Sequence, residues 1–342
     1  MNVTLLRKIP ALLVGSLGGA LFYYSNMPLA WLLGAMSFCL IVTFFGMRLE
    51  KPGSITLAMR AILGVAIGSA FTPELNDRIV DLSYSLSFLL PYSLITGICG
   101  FYFFKKIGKF DTPTAFYSAM PGGFQDMLAF GEEAGAKVQP LALIHATRVI
   151  VLVFTLPFLV SLIKGFEVHH SNVTDWPSAN DLILLFLCGS IGWMVAKFLR
   201  ISGAAIVGPM IASGLVHYFG WTDINPPKLF INLAQLFIGV HIGCQYQGMK
   251  MREMTHIISL GFIYVIILGV IALGFVYLVS VFAGADPIAA LLAFSPGGQA
   301  EMNLIAFAMN IDVTYVALHH LVRMVIVIVG AQFLFRFFKK YL

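Results

Sequence analysis

Ten long apolar runs constrain the fold of this chain more than any other feature of its sequence. A helix that crosses a lipid bilayer needs about 20 mainly apolar residues, and each run approaches or exceeds that length. Only 11% of the 342 residues are charged, which is too few to cover the surface of a soluble protein. The sequence therefore predicts an all-α polytopic membrane protein embedded in a lipid bilayer. The runs lie near residues 9–25, 27–46, 54–71, 80–103, 138–163, 182–198, 202–219, 229–246, 256–282 and 312–337.

The last five runs repeat the first five in order, at a nearly constant offset of slightly more than half the chain. Chance matches of Leu or Val between two apolar helices are common, but a match of Pro-Gly-Gly followed by His and Arg indicates an internal repeat. We predict a first membrane repeat at 1–164, an external linker at 165–180 and a second membrane repeat at 181–342, all within one membrane domain. The best-matched pairs, which all share one offset, are Pro121 and Pro296, Gly122 and Gly297, Gly123 and Gly298, Met127 and Met302, His145 and His320, and Arg148 and Arg323.

Each Pro-Gly-Gly follows a helix-start signal, Asp111 to Pro113 in the first half and Asp286-Pro287 in the second. If these segments cross the membrane, the halves are parallel; if they are re-entrant hairpins, each half has an odd number of crossings and the halves are inverted. Lys and Arg concentrate in cytoplasmic loops. The inverted arrangement places 15 of them inside and 3 outside, whereas the parallel one gives 12 and 6. We therefore predict two inverted repeats of five transmembrane helices plus one hairpin each, with both termini in the cytoplasm.

Few ionisable side chains remain at membrane depth, and most of them occupy equivalent places in the two halves. A charge at the bilayer centre costs about 2.5 to 3.5 kcal/mol, so such residues usually face a partner or a water-filled cavity. Each Pro-Gly-Gly break also frees backbone N–H groups at the start of a half-helix, where an anion is favoured. We predict a solute-binding site at the two breaks, formed by Gly122, Gly123, Gln125, His145, Arg148, Gly297, Gly298, Gln299, His320 and Arg323.

Asp126 and Glu301 lie three residues after the second glycine of each break, in the first turn of a half-helix. There a carboxylate stabilises the helix dipole by about 0.3 to 1 kcal/mol, or it pairs with Arg148 or Arg323. The other interpretation is that the two acids bind a coupling ion or a proton. The histidines of the predicted site also have a structural alternative, as buried and hydrogen-bonded side chains.

This pattern favours a secondary active transporter that moves a small organic anion, such as a carboxylate, or another polar solute by alternating access, coupled to H⁺ or Na⁺. A ligand-binding membrane sensor or regulatory protein without transport would use the same site. A membrane metallo-oxidase is a third alternative, but the buried arginines would oppose a bound cation. We expect no enzymatic activity, no metal and no cofactor. The net charge of +5 comes without a basic run longer than two residues, so we expect no nucleic-acid partner.

The block from Pro121 to Met127, followed by His145 and Arg148 and repeated in the second half, resembles the AbrB family of duplicated bacterial membrane proteins. The resemblance covers residues from about 9 to 338, although family members more often carry Glu than Asp at the position of Asp126. It implies a multi-pass protein of the bacterial inner membrane, in a family whose members are labelled transporter, regulator or "ammonia monooxygenase". The predicted architecture is also similar to elevator-type symporters of glutamate and citrate, which implies alternating access and a homodimer.

Overall fold

The computed structural model of the chain is α-helical, with short 3-10 and π-helical turns and no strand in the part that it describes. The all-helical fold agrees with the prediction from the sequence. Most of the predicted linker at 165–180 lies outside the described residues. These residues are 8–164, 177–245 and 251–338, without the side chains of Gln125, 251–254, Gln332 and 336–338.

Several helices of the two halves have matching bounds. The described helices of the first half are α1 (Ile9–Tyr24), α2 (Ala30–Phe44), α3 (Ile55–Gly68), α4 (Ile79–Ser87), α5 (Leu89–Tyr102), α6 (Thr112–Ala119), α7 (Phe124–Glu133) and α8 (Val138–Lys164). Those of the second half are α9 (Ala179–Phe198), α10 (Ala204–Tyr218), α11 (Lys228–Gly243), α12 (Met251–Phe282), α13 (Pro287–Phe294), α14 (Gln299–Ala308) and α15 (Val313–Phe338). The helices α6 and α13 begin and end at equivalent positions of the repeat, and so do α2 and α10.

Five stretches of the described chain are long and apolar enough to cross a membrane. Five further helices, α1, α2, α3, α10 and α11, are apolar but have only 14 to 16 residues. These helices are compatible with a membrane protein, while the number of crossings stays a prediction. The long stretches are Pro73–Ile107, Val138–Lys164, Ala179–Phe198, Thr255–Phe282 and Val313–Phe335.

Contacts divide the chain into two compact units, and each unit draws on both halves of the sequence. The first unit comprises α1 to α3, the end of α8 from Phe154, and α9 to α11. The second comprises α4 to α7, the rest of α8, and α12 to α15 apart from residues 307–309. All the predicted site residues therefore belong to the second unit.

Glycines in the first unit let helices from the two halves pack closely. A Cβ on Gly64 of α3 would collide with the carbonyl oxygen of Ile206 in α10. In the same way, a Cβ on Gly239 of α11 would lie 2.5 Å from the carbonyl oxygen of Leu32 in α2. Close packing of this kind holds helices together in lipid, where the hydrophobic effect between helices is weak.

The two ends of the α6–α7 segment contact each other, so the chain returns at the end of α7 to the place where α6 begins. Asp111 caps α6 by accepting a hydrogen bond from the backbone N–H of Thr114. Lys137, which follows α7, donates its backbone N–H to Thr114 Oγ1 (2.8 Å), and its ammonium lies 3.9 Å from the Asp111 carboxylate. Although partial burial acts to raise the pKa of the Asp111 carboxyl, hydrogen bonds from Thr114 and the charge of Lys137 lower it below its ordinary value. α6 and α7 thus form a hairpin.

The α13–α14 segment begins with the same kind of cap as the α6–α7 segment. Asp286 caps α13 by accepting hydrogen bonds from the backbone N–H groups of Ile288 (2.9 Å) and Ala289 (3.5 Å). Beyond α14, Asp312 accepts a hydrogen bond from the backbone N–H of Tyr315 in the first turn of α15 (3.0 Å). Aspartates therefore cap the helices at both ends of this segment.

Candidate functional site

Each Pro-Gly-Gly motif forms a break between two half-helices. The first break covers residues 120–123, between α6 and α7, and the second covers 295–298, between α13 and α14. The backbone is extended where the breaks begin, with ψ of 129° at Met120 and 131° at Ser295. Extended backbone leaves carbonyl oxygens without helical partners, and lipid cannot supply any. The protein must therefore satisfy these oxygens itself.

Two side chains of α8 bond to backbone carbonyl oxygens at the first break and in the helical turn before it. Arg148 donates from Nη1 to the carbonyl oxygen of Met120 (3.0 Å) and from Nη2 to that of Gly122 (2.9 Å). One turn earlier, His145 donates from Nε2 to the carbonyl oxygen of Tyr117 (3.0 Å). Arg148 is 1% exposed. We call an arginine with its two carbonyl partners at a break an arginine clamp.

The second clamp repeats these bonds on α15. Arg323 donates from Nη1 to the carbonyl oxygen of Ser295 (2.7 Å) and from Nη2 to that of Gly297 (3.1 Å). His320 donates from Nε2 to the carbonyl oxygen of Leu292 (3.0 Å). The second half has one further bond, from Arg323 Nη2 to His320 Nδ1 (2.7 Å). The arginines predicted for the site therefore bind the backbone of the breaks directly, and the histidines bind the last turn of the half-helix before each break.

The first glycine of each motif makes room for a methionine. A Cβ on Gly122 would lie 2.8 Å from Met127 Cε, and a Cβ on Gly297 would lie 2.6 Å from Met302 Cε. Both methionines are fully buried. The fixed spacing of glycine and methionine in the two halves thus reflects packing of the thioether over the break.

The second glycine of each motif makes room for the acid. A Cβ on Gly123 would lie 2.5 Å from the Asp126 carboxylate, and a Cβ on Gly298 would collide with the Glu301 carboxylate. Both acids occupy the first turn of a half-helix, where a negative charge is favoured. Among the described residues, neither carboxylate forms an ion pair with a clamp arginine. Of the structural alternatives for these acids, the geometry favours the helix-terminus position over the ion pair.

Both clamps belong to the second compact unit, although they come from different halves of the sequence. Tyr92 of α5, which belongs to the same unit, is fully buried. That the two clamps form one solute site remains a prediction. The side chain of Gln125, which was also predicted to bind solute, lies outside the described residues.

Two tyrosines that the sequence did not predict also contact the half-helices. The Tyr264 hydroxyl of α12 donates to the carbonyl oxygen of Ala119 at the end of α6 (2.6 Å). The Tyr92 ring packs edge-on against Phe294 at the end of α13, with 5.4 Å between ring centroids. Neither tyrosine has an equivalent in the other half, since the residues at the equivalent positions are aliphatic. A search for repeated polar residues could not find them.

A further polar group lies at the start of α15, outside the predicted site. Ser85 of α4 hydrogen-bonds to the Tyr315 hydroxyl and donates to His319 Nε2 (2.9 Å). The opposite ring nitrogen, His319 Nδ1, donates to the carbonyl oxygen of Tyr315 (2.8 Å). Nearer the exposed end of the helix, Arg78 pairs with Asp312. Polar side chains therefore line α15 from its exposed start to the residue before His320.

Several buried polar atoms of the second unit lack a hydrogen-bond partner in the described structure. An unpaired buried polar group is costly, so these atoms mark places where a solute or water is expected. The described residues contain no group of three or more His, Cys, Asp and Glu side chains placed to hold a metal ion. The unpaired atoms are Tyr92 Oη, Ser93 Oγ, Ser118 Oγ, His145 Nδ1, Arg148 Nε, Ser280 Oγ, Gln299 Nε2, and Oδ1 and Nδ2 of Asn303.

Comparison with known proteins identifies relatives over nearly the whole chain. A family model described as "Transition state regulatory protein AbrB" matches residues 31–339, a range that includes both clamps. "Uncharacterized protein YhjN" of Bacillus subtilis (strain 168) is 26% identical over 95% of this chain and 91% of its own length. "Putative regulator AbrB" of Escherichia coli (strain K12) is 24% identical over 94% of this chain and 93% of its own length.

Proposed function

The chain belongs to the AbrB family, and from the geometry of its two arginine clamps we propose that it is a secondary active transporter of the bacterial inner membrane. It moves a small organic anion or polar solute by alternating access, coupled to H⁺ or Na⁺. The observation that carries this proposal is the pair of helix breaks in one unit, each held by a buried arginine. Broken helices of this kind form the binding sites of secondary transporters.

The charge of the clamps supports an anionic solute. Arg148 and Arg323 are 1% and 3% exposed, and no described carboxylate pairs with either of them. Their carbonyl partners carry only partial negative charge, so two positive charges stay buried without full compensation. A buried and unpaired charge is strongly unfavourable. A carboxylate or similar anion in the site would compensate it.

The contacts at the hairpin ends support inverted repeats. Because Asp111 and Lys137 contact each other, the segment between them returns to the side from which it entered. A returning segment adds no crossing, which supports five crossings in each half and an inverted second half. All the predicted site residues lie in one unit, which fits an elevator mechanism in which the unit that binds the solute moves as a rigid body. A homodimer is part of the same proposal.

In this proposal, Asp126 and Glu301 bind the H⁺ or Na⁺ whose movement drives solute transport. Glu301 is 6% exposed, lies at the start of a half-helix and pairs with no described cation. Acids at membrane depth mark ion pathways and proton relays in transporters. Substitution of the acids should therefore separate solute binding from coupling.

The proposal is tested by uptake of radiolabelled carboxylates into proteoliposomes under an imposed pH gradient or Na⁺ gradient. We expect accumulation under one gradient, loss of that accumulation in Glu301→Gln, and unchanged accumulation in the matched control Glu132→Gln, an exposed residue of the first hairpin. The same solute should still raise the melting temperature of Glu301→Gln. If a carboxylate stabilises the purified protein but neither gradient drives uptake, the protein is a ligand-binding sensor and the transport proposal is wrong.

A further inference from the structure

We propose that Asn303 and Gln299 of α14 form a subsite for a hydroxyl or carboxamide group of the solute. This inference rests on the proposed function, because it concerns the solute that the transporter carries. It narrows the solute class to small carboxylates that bear a second, uncharged polar group. The clamps attract the carboxylate, while the two amides recognise the second group.

The Asn303 amide carries the inference. Its side chain is fully buried, and both Oδ1 and Nδ2 lack a hydrogen-bond partner among the described residues. Gln299 adds a buried Nε2 without a partner. An amide that is removed from water and left unpaired destabilises the protein, so a residue with no role beyond packing would be expected to be apolar here.

The two amides lie on one side of the second half-helix, beside the second clamp. They are four residues apart in α14, a spacing that places both on the same helix face. Gln299 follows Gly297 by two residues, and the carbonyl oxygen of Gly297 accepts a hydrogen bond from Arg323 (3.1 Å). The amide face therefore begins at the break, next to a buried positive charge.

The first half-helix has no such face. At the positions equivalent to Gln299 and Asn303, the first half carries Phe124 and Leu128. A structural requirement common to both hairpins would place similar residues at these positions. The difference indicates that the second half-helix recognises something that the first does not, as expected when an asymmetric solute binds between two symmetric elements.

The available atoms define the group that binds. Asn303 offers an acceptor, Oδ1, and the two N–H donors of Nδ2, while Gln299 offers the N–H donors of Nε2. A carboxylate accepts from the donors but leaves Oδ1 unpaired. A hydroxyl or carboxamide both donates and accepts, and can therefore bond to Oδ1 as well as to the amide nitrogens.

The test uses the melting temperature of the full-length protein in detergent, with three matched pairs of carboxylates as probes. The pairs are propionate and lactate, succinate and malate, and butyrate and succinamate; the second member of each adds a hydroxyl or a carboxamide. We expect at least one second member to raise the melting temperature of the wild type more than its partner does. The proposal is overturned if none of the probes that carry a hydroxyl or carboxamide raises the melting temperature more than its partner does.

The variant Asn303→Leu introduces the residue found at the equivalent position of the first half. It should melt at a higher temperature than the wild type without ligand, because it removes an unpaired buried amide, and it should lose the preference for the second member of the pair. The control is Asn225→Leu, which removes an amide that is paired with Ser69 in the first unit and should lower the melting temperature while keeping the preference. A ligand-free Asn303→Leu that melts lower than the wild type and keeps the preference shows that the amide is structural.

Failure of the transport proposal and failure of the subsite proposal give different results in these experiments. If the preference depends on Asn303 but no gradient drives uptake, the subsite stands and transport is wrong. If the carboxylates are taken up equally by the wild type and by Asn303→Leu, transport stands and the subsite is wrong.

Discussion

Each clamp arginine replaces the hydrogen bonds that a continuous helix would have made across the break. A guanidinium presents N–H groups in a fixed fork, so Arg148 reaches the carbonyl oxygens of Met120 and Gly122 at the same time. A lysine ammonium is a single point and has no such fork. The choice of arginine in both halves is therefore explained by geometry as well as by charge.

We predict that Arg148→Lys and Arg323→Lys destabilise the protein by about 1.5 to 3 kcal/mol each, the usual contribution of a hydrogen bond to a charged group. Arg323→Lys should have the larger effect, because Arg323 also bonds to His320. The measurement is thermal unfolding in detergent, with Arg48→Lys, at an exposed position, as the matched control. Equal melting temperatures for Arg148→Lys and the wild type would show that the clamp does not hold the break.

The sequence predicted the residues of the breaks but not their bonding partners. Glycine, histidine and arginine were found because they recur at a fixed offset, which is a property of the sequence alone. The partners of the arginines are backbone carbonyl groups, which every residue has, so no sequence pattern marks them. Tyr92 and Asn303 were missed for the opposite reason: they occur in one half, and the repeat therefore gives no signal for them.

At the scale of helices, glycine placement decides which faces pack together. A Cβ on Gly64 would collide with a backbone carbonyl oxygen of α10, which cannot move as a side-chain end can. Around Gly269 of α12, by contrast, nothing lies within 4 Å of an added Cβ. The two glycines thus occupy the same kind of apolar helix but differ in what surrounds them.

We predict that Gly64→Ala destabilises the protein by about 1 to 3 kcal/mol through overpacking. The control Gly269→Ala should be neutral or stabilise the protein by up to about 1 kcal/mol, since alanine is the better helix former. Thermal unfolding of the two purified variants beside the wild type measures both effects. A destabilised Gly269→Ala together with an unchanged Gly64→Ala would contradict the packing described for α3 and α10.

The helix starts and breaks were readable from the sequence, whereas the pairing of helices was not. Asp111 and Asp286 cap helices as predicted, because a cap depends on neighbours within three residues. The contact of α3 with α10 joins residues from different halves of the chain through apolar faces that look alike in many helices. Such faces carry no signal that selects one partner over another.

At the scale of the whole molecule, the distribution of positive charges favours a hairpin in each half, and the contacts at the ends of α6 and α7 favour one in the first half. Counting Lys and Arg favoured hairpins over crossings, and the pairing of Lys137 with Asp111 favours a hairpin independently. The two arguments rest on different physics, since one concerns membrane insertion and the other a local contact. The measurement that decides between inverted and parallel repeats is the side of the membrane on which the ends of each predicted hairpin lie.

We predict that the ends of the two hairpins lie on opposite sides of the membrane. Glu133 and Ala308 end α7 and α14, are both exposed, and occupy equivalent positions of the repeat, so they form a matched pair. In a background without the four native cysteines, Glu133→Cys should be protected from an impermeant thiol reagent added outside intact cells, and Ala308→Cys should be labelled. Permeabilised cells should label both, which controls for access of the reagent. Labelling of both cysteines in intact cells would mean parallel repeats and would overturn the inverted architecture on which alternating access is proposed.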